Sequence, residues 1–186
     1  MEKDSWDILE KECISCQKCV FGTNRKNVVM GRGNINAPIL FIGEAPGETE
    51  DEQGRAFVGK AGQLLSMALT AMGMEEEHYY LCNVIKCRPQ NNRTPNMDEI
   101  ETCLPYLLRQ IKLVNPKVIV LMGNVAIMGI LDKNASVSRQ RGTWYDYEGI
   151  PTMVTYHPAA LLRDDNKKID MWVDIKKAWK KVKEEK

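Results

Sequence analysis

Long apolar runs are missing from this chain of 186 residues. A helix that spans a bilayer needs about 20 consecutive apolar residues, and no stretch approaches that. An excess of either charge is missing too. Lys and Arg number 26 against 25 Asp and Glu, for a net charge of +1. No global field therefore draws the chain to a polyanion, and any contact with nucleic acid must rest on a local basic patch. The first residues, MEKDSWDILEKE, lack the basic-then-apolar order of a secretory leader, so the expected location is the cytoplasm. Histidine is scarce, with two in the chain. There is no internal repeat and no low-complexity tract. The length suits one domain with a sizeable core, spanning 1–186, with an N-terminal arm over about 1–37.

Cysteine, by contrast, is plentiful for a cytosolic chain of this size, at six. A reducing compartment disfavours disulfides and leaves metal binding or catalysis. Cys13-Ile-Ser-Cys16-Gln-Lys-Cys19 has two successive two-residue gaps, a spacing that lets thiolates converge on one metal centre. Cys87 and Cys103 lie far along the chain, and Cys82 sits inside an apolar run.

The rest of the chain is organised around Ile39 to Leu65. Pro38-Ile39-Leu40-Phe41-Ile42 is apolar without alternation, as in a strand buried on both faces. Gly43-Glu44-Ala45-Pro46-Gly47 forces a tight turn. The acidic run Glu48, Glu50, Asp51 and Glu52 reads as a carboxylate-bearing loop, followed by Gly54-Arg55-Ala56-Phe57. A helix then carries Val58, Ala61, Leu65, Ala68 and Met72 on one face and ends at Gly73. Further strands are expected at Tyr79–Ile85, Val118–Met122, Thr143–Glu148 and Thr152–Tyr156. Helices are expected over 4–12, from a capping box at Asn96 and Glu99 onward, after Gly123 to about Asp132, and through Ile169, Trp172, Ile175, Trp179 and Val182. Strands alternating with helices predict a mostly parallel sheet covered on both faces.

In such a sheet the carboxyl ends of the strands lie together and form the ligand crevice. Three polar segments fall there: Gly43 to Phe57, Asn83 to Arg93, and His157 to Arg163. A buried amide at Asn83 offers both a donor and an acceptor, the pair needed to read a base edge. A ring such as Phe57 can stack on that base. Leu161-Leu162 beside Arg163 resembles an apolar wedge next to a phosphate-binding charge. The local basic set comprises Lys86, Arg88, Arg93 and Arg163, with Arg139 and Arg141 in addition. Taken singly, each residue has a plainer role in packing or structural hydrogen bonding. Their joint placement at one end of the sheet favours a site.

These motifs resemble the family 4 uracil-DNA glycosylases, iron–sulfur enzymes of archaea and bacteria. The resemblance runs in order from Cys13 to Arg163. It rests on Gly43-Glu-Ala-Pro-Gly47, Glu50-Asp51, Gly54-Arg-Ala-Phe57-Val-Gly59-Lys-Ala-Gly62, Asn83-Val-Ile-Lys-Cys87-Arg-Pro89 and His157-Pro-Ala-Ala-Leu-Leu162. It implies a three-layer α/β/α fold around a mostly parallel sheet of four strands. It also implies DNA repair by base excision: uracil is flipped out of single- or double-stranded DNA and its N-glycosidic bond hydrolysed, leaving an abasic site. By similarity, Gly43, Glu44 and Ala45 line the uracil pocket, Phe57 stacks on the base, and Asn83 reads its edge. His157 donates to uracil O2, and Glu50 matches an acidic position proposed to help activate water. Glu44, Glu50 and His157 form the implied catalytic set, and Arg88, Arg93, Leu161, Leu162 and Arg163 the implied DNA-contacting set. Cys13, Cys16, Cys87 and Cys103 match the four ligands of a 4Fe–4S cluster, leaving Cys19 and Cys82 spare. The protein is expected to act as a monomer with no membrane partner.

The resemblance has departures. In the best-known branch of the superfamily an aspartate stands where this chain has Ala45, and a thymine-excluding tyrosine where it has Gly47. Thymine must then be excluded by other means. Three other readings compete. A non-enzymatic metal-binding nucleic-acid module does not account for Asn83, Phe57 and His157 together. A covalent-trapping relative needs a loop histidine that Pro89 to Pro95 lacks. A family 5 relative is disfavoured by Glu44.

Overall fold

The computed structural model describes residues 4–184. Helix α1 (Trp6–Ile14) starts on Ser5, whose Oγ accepts from Ile8 N, and a short α2 (Phe21–Asn24) follows. A two-residue edge strand, β1 (Arg32–Gly33), precedes β2 (Ile39–Gly43). Then come α3 (Glu48–Gln53), α4 (Lys60–Ala71) and β3 (Tyr79–Asn83). The long α5 (Met97–Val114) leads to β4 (Val118–Met122) and α6 (Asn124–Ile130). A short α7 (Val137–Gln140), the hairpin β5 (Trp144–Tyr147) and β6 (Ile150–Thr155), then α8 (Pro158–Leu161) and α9 (Lys167–Glu184) complete the order.

The strands form one sheet in the order β1-β3-β2-β4-β6-β5. The four inner strands β3, β2, β4 and β6 are parallel, as the apolar runs lead one to expect. Antiparallel β1 and β5 are added at the two edges, so the sheet has six strands rather than four. A two-residue strand has no periodicity to read, which is why β1 escapes the pattern.

Alternation along the inner strands divides the core between the two faces. Leu40, Ile42, Tyr80, Cys82, Ile119 and Leu121 point to one side, beneath α1, α5 and α6. Ile39, Phe41, Tyr79, Leu81, Val118 and Val120 point to the other, beneath α4 and α9. Each fully buried Leu, Ile or Phe there contributes about 1.5–3 kcal/mol. The capping box at the head of α5 is present, with Asn96 Oδ1 accepting from Glu99 N and a Glu99 carboxylate oxygen from Asn96 N.

Besides the strand count, two expectations change: the strand that begins at Tyr79 ends at Asn83 rather than Ile85, and the acidic run differs. The acidic run after Gly47 is a helix, α3, and not a loop. Glu48, Glu50 and Asp51 stand in its first turn, where the helix dipole favours negative charge. Gly54 closes it in the left-handed conformation, at φ +68°.

Candidate active site and cysteine chamber

Because β2, β3, β4 and β6 run parallel, their carboxyl ends open on one edge of the sheet. A cleft of about 420 Å³ lies there, and its walls include Glu44, Ala45, Gly47, Glu50, Phe57, Asn83 and His157. The polar segments that follow β2, β3 and β6 thus meet.

Gly43 and Asn83 are register partners at the ends of β2 and β3. A Cβ on Gly43 would stand 2.6 Å from Phe57 Cζ, 2.7 Å from Asn83 Oδ1 and 3.2 Å from His157 Nε2. Three groups of quite different chemistry therefore face one glycine. Asn83 is buried, and its Oδ1 has no hydrogen-bond partner among the described residues. A buried acceptor left unpaired costs about 1–3 kcal/mol, so this oxygen is prepared for a donor from outside the chain.

Phe57 has a φ of +55°, in the left-handed region. Its neighbours hold it there. Arg32 Nε donates to Ala56 O at 3.1 Å, and Nη2 donates to Phe57 O at 3.4 Å and to Ser66 Oγ at 2.9 Å. The α4 backbone closes from the other side, where a Cβ on Gly62 would lie 2.0 Å from Phe57 O. The Phe57 and His157 rings are 6.0 Å apart, inclined by 32°.

His157 caps α8. Its Nδ1 accepts from Ala159 N at 3.1 Å, which leaves the proton of the neutral ring on Nε2, the nitrogen that faces Gly43. Burial, aided by the Arg163 charge, holds its pKa down at about 4, so the ring is neutral at physiological pH. Glu44 is pushed the other way: burial raises its carboxyl above the usual range, partly offset by Arg163. Glu50 Oε1 accepts from Val58 N at 3.1 Å and Gly59 N at 2.8 Å, bracing the turn that bears Phe57. Its other oxygen is turned toward Gly47.

A second chamber lies on the opposite face of β3. Five cysteines line it: Cys13, Cys16, Cys19, Cys87 and Cys103. Cys82 is buried in the core instead, and all six thiols are free. The chamber's other lining side chains include Lys18, Arg25, Lys86 and Tyr106, with no carboxylate or imidazole among them. Burial pushes Cys13 up to about 12 and Cys103 to about 11, and raises Cys87 against the hydrogen bond from Arg25. Thiolates are thus costly here even beside Lys86 and Arg25, unless a metal-containing group binds them. Among the described residues, no group of three or more His, Cys, Asp or Glu is arranged to hold a metal ion. The all-sulfur donor set suits a thiolate-bound group, zinc or iron–sulfur in character.

The family model for the uracil DNA glycosylase superfamily matches residues 30–183. A type-4 uracil-DNA glycosylase of Thermotoga maritima is 43% identical over 183 residues, covering 96% of this chain and 95% of its own. That of Sulfurisphaera tokodaii is 44% identical over 183 residues, covering 94% and 83%. That of Archaeoglobus fulgidus is 40% identical over 182 residues, covering 94% and 92%. The chain belongs to the type-4 family of the uracil-DNA glycosylase superfamily.

Not every residue expected at the surface of this glycosylase-family chain is there. Lys86 is 1% exposed, so it is no part of a surface basic patch. Its aliphatic stem is enclosed in the core, and its ammonium is satisfied internally. Arg141 is half-buried and tied to Asp170 and Asp174. Arg93 makes two bonds to the Glu99 carboxylate and lies over the Phe21 ring. Arg88 pairs with Glu48 and Asn92. Arg163 is exposed beside the cleft. The two leucines separate: Leu161 is 4% exposed and packs with the α4 and α9 side chains, whereas Leu162 is 54% exposed. Arg25 and Arg32 went unread in the sequence. Arg25 donates to Cys16 O, Ile14 O and Cys87 Sγ, and so closes the cysteine arm. Arg25, beside Lys26, follows the four-residue α2, and Arg32 stands in the two-residue β1; neither element is long enough to show a pattern.

Proposed function

We propose that this protein excises uracil from DNA by hydrolysing the N-glycosidic bond, as the first step of base excision repair. The observation that carries the reading is the unpartnered Asn83 Oδ1 standing beside Phe57 and His157 around Gly43. A base can enter that space only after leaving the helical stack. Uracil N3–H supplies the donor that Asn83 Oδ1 lacks, while Phe57 takes the base face.

Bond cleavage puts negative charge on the departing uracil and positive charge on the sugar. His157, neutral with its proton on Nε2, donates to O2 as that oxygen gains charge. The carboxylates of Glu44 and Glu50 lie on the sugar side, where one stabilises the cation and orients water. Gly43 and Ala45 complete the pocket with small residues. Leu162 fills the gap left by the flipped nucleotide, next to Leu161, and Arg163, Arg88 and Arg93 lie toward the phosphates.

The cysteine chamber suits a 4Fe–4S cluster held by Cys13, Cys16, Cys87 and Cys103. Such a cluster ties the N-terminal arm to the loop after β3 and to α5. We take residues 1–186 as one catalytic unit, arm included, acting as a cytoplasmic monomer. Among the described residues no helix is long and apolar enough to cross a membrane.

The test is a labelled oligonucleotide with a single uracil, incubated with purified protein and then treated with alkali. Strand breakage at the uracil, absent with thymine in its place, is the expected result. An intact strand would overturn the assignment.

A further inference from the structure

Lys86 lies between the cleft and the cysteine chamber and is fully buried. Its Nζ donates to Asn83 O and to Gln110 Oε1, each at 2.5 Å. Both acceptors are neutral carbonyl oxygens. Gln110 is itself buried and donates to Met30 O at 2.8 Å, which ties the pair to the N-terminal arm. An ammonium enclosed with neutral partners alone is an uncompensated charge. Lys86 also lines the cysteine chamber, in company with the thiols of Cys13, Cys87 and Cys103. The chamber thus carries a buried positive charge without an anionic partner among the described residues, and four thiolates around a 4Fe–4S core would supply one.

We propose that Lys86 is the built-in counter-ion of the thiolate-bound group and at the same time the brace that holds Asn83 in the cleft. This rests on the cluster reading above. It makes Lys86 a positioning residue: it touches neither base nor sugar, but it holds the carbonyl of the residue that does.

The experiment uses the iron-loaded protein and begins with its iron content. A wild-type protein without iron would overturn the cluster reading, and this inference with it. Lys86→Met and Gln110→Glu each remove one unit of local positive charge, the first by deletion and the second by pairing. Lys86→Arg keeps the charge. The cluster's reduction potential is read by redox titration, alongside steady-state cleavage of uracil-containing DNA. Both charge-removing variants should shift the potential to more negative values, because adding an electron becomes harder. Lys86→Arg should stay close to wild type. Lys86→Met should also raise KM for uracil-DNA by more than it lowers kcat. If Lys86→Met loses iron while Lys86→Arg keeps it, the counter-ion role is supported as well. An unchanged potential in loaded Lys86→Met or Gln110→Glu, or equal loss of iron from Lys86→Met and Lys86→Arg, would overturn the inference.

Discussion

Gly43 is the residue on which the cleft's geometry turns. Any side chain there would occupy the space shared by Phe57, Asn83 and His157. Gly43→Ala should leave the melting temperature within a few degrees of wild type, since only cleft side chains must move. Excision of uracil should fall at least a hundredfold, as read in single-turnover assays. The proposed role of His157 carries a pH prediction. Its pKa is lowered in the folded protein, from 6.5 to about 4. Between these values the unfolded chain binds more protons, so the stability this residue contributes is full above pH 6.5 and lost as pH falls toward 4. Over that window the loss is on the order of 3 kcal/mol. In a Glu44→Gln background, which removes the carboxyl that burial raises, the residual cleavage step should stay flat from pH 8 down to about 5 and decline only near 4. A midpoint close to 6.5 would show an ordinary, solvated imidazole. Asn83 and His157 were legible as residue types at strand ends, and Phe57 as the aromatic that precedes a helix. The left-handed φ of Phe57 and the tautomer of His157 were not, because both depend on contacts with Arg32, Gly62 and Ala159 that no local pattern announces.

At the scale of elements, α8 divides its two leucines between different tasks. Leu161→Ala deletes a buried side chain packed beneath α4 and α9, and should destabilise the fold by about 2–5 kcal/mol in denaturant titration. Leu162→Ala should leave stability unchanged and slow excision more on duplex than on single-stranded substrate. Equal effects on both substrates would remove Leu162 as the wedge. Arg163, next along, is exposed beside the cleft. Arg163→Ala should reduce the salt dependence of DNA binding by about one phosphate contact. The inner strands and α5 were legible because unbroken apolar runs and a capping box are strong local signals. Helix α3 was not: its acidic run has no apolar stripe. It is held instead by its glycine ends and by buried Asp51, whose Oδ1 accepts from Lys26 N and Asn27 N.

For the molecule as a whole, a near-neutral sequence conceals strongly uneven charge. Acidic side chains gather at the cleft, while Arg25 and Lys86 stand inside the sulfur-lined chamber. Net charge could not reveal this, because partition between inside and outside is a property of the fold. The two regions are joined through β3 and the loop after it, which carries Asn83, Lys86 and Cys87 within five residues. The purified protein should be brown, with four irons per chain. Serine at Cys13 or Cys87 should lower the iron content, and serine at Cys82 should not. Because Cys19 lines the same chamber, its substitution tests whether the fifth thiol is spare.

The proposed choice of uracil over cytosine rests on the Asn83 amide. Single-turnover cleavage of uracil- and cytosine-containing oligonucleotides, by wild type and by Asn83→Asp, tests it most directly. Replacing the amide by a carboxylate removes a donor and supplies acceptors. Wild type should cut uracil and spare cytosine. Asn83→Asp should lose uracil cleavage by at least a hundredfold and gain weak cleavage of cytosine. Cleavage of uracil by Asn83→Asp at the wild-type rate would contradict the account.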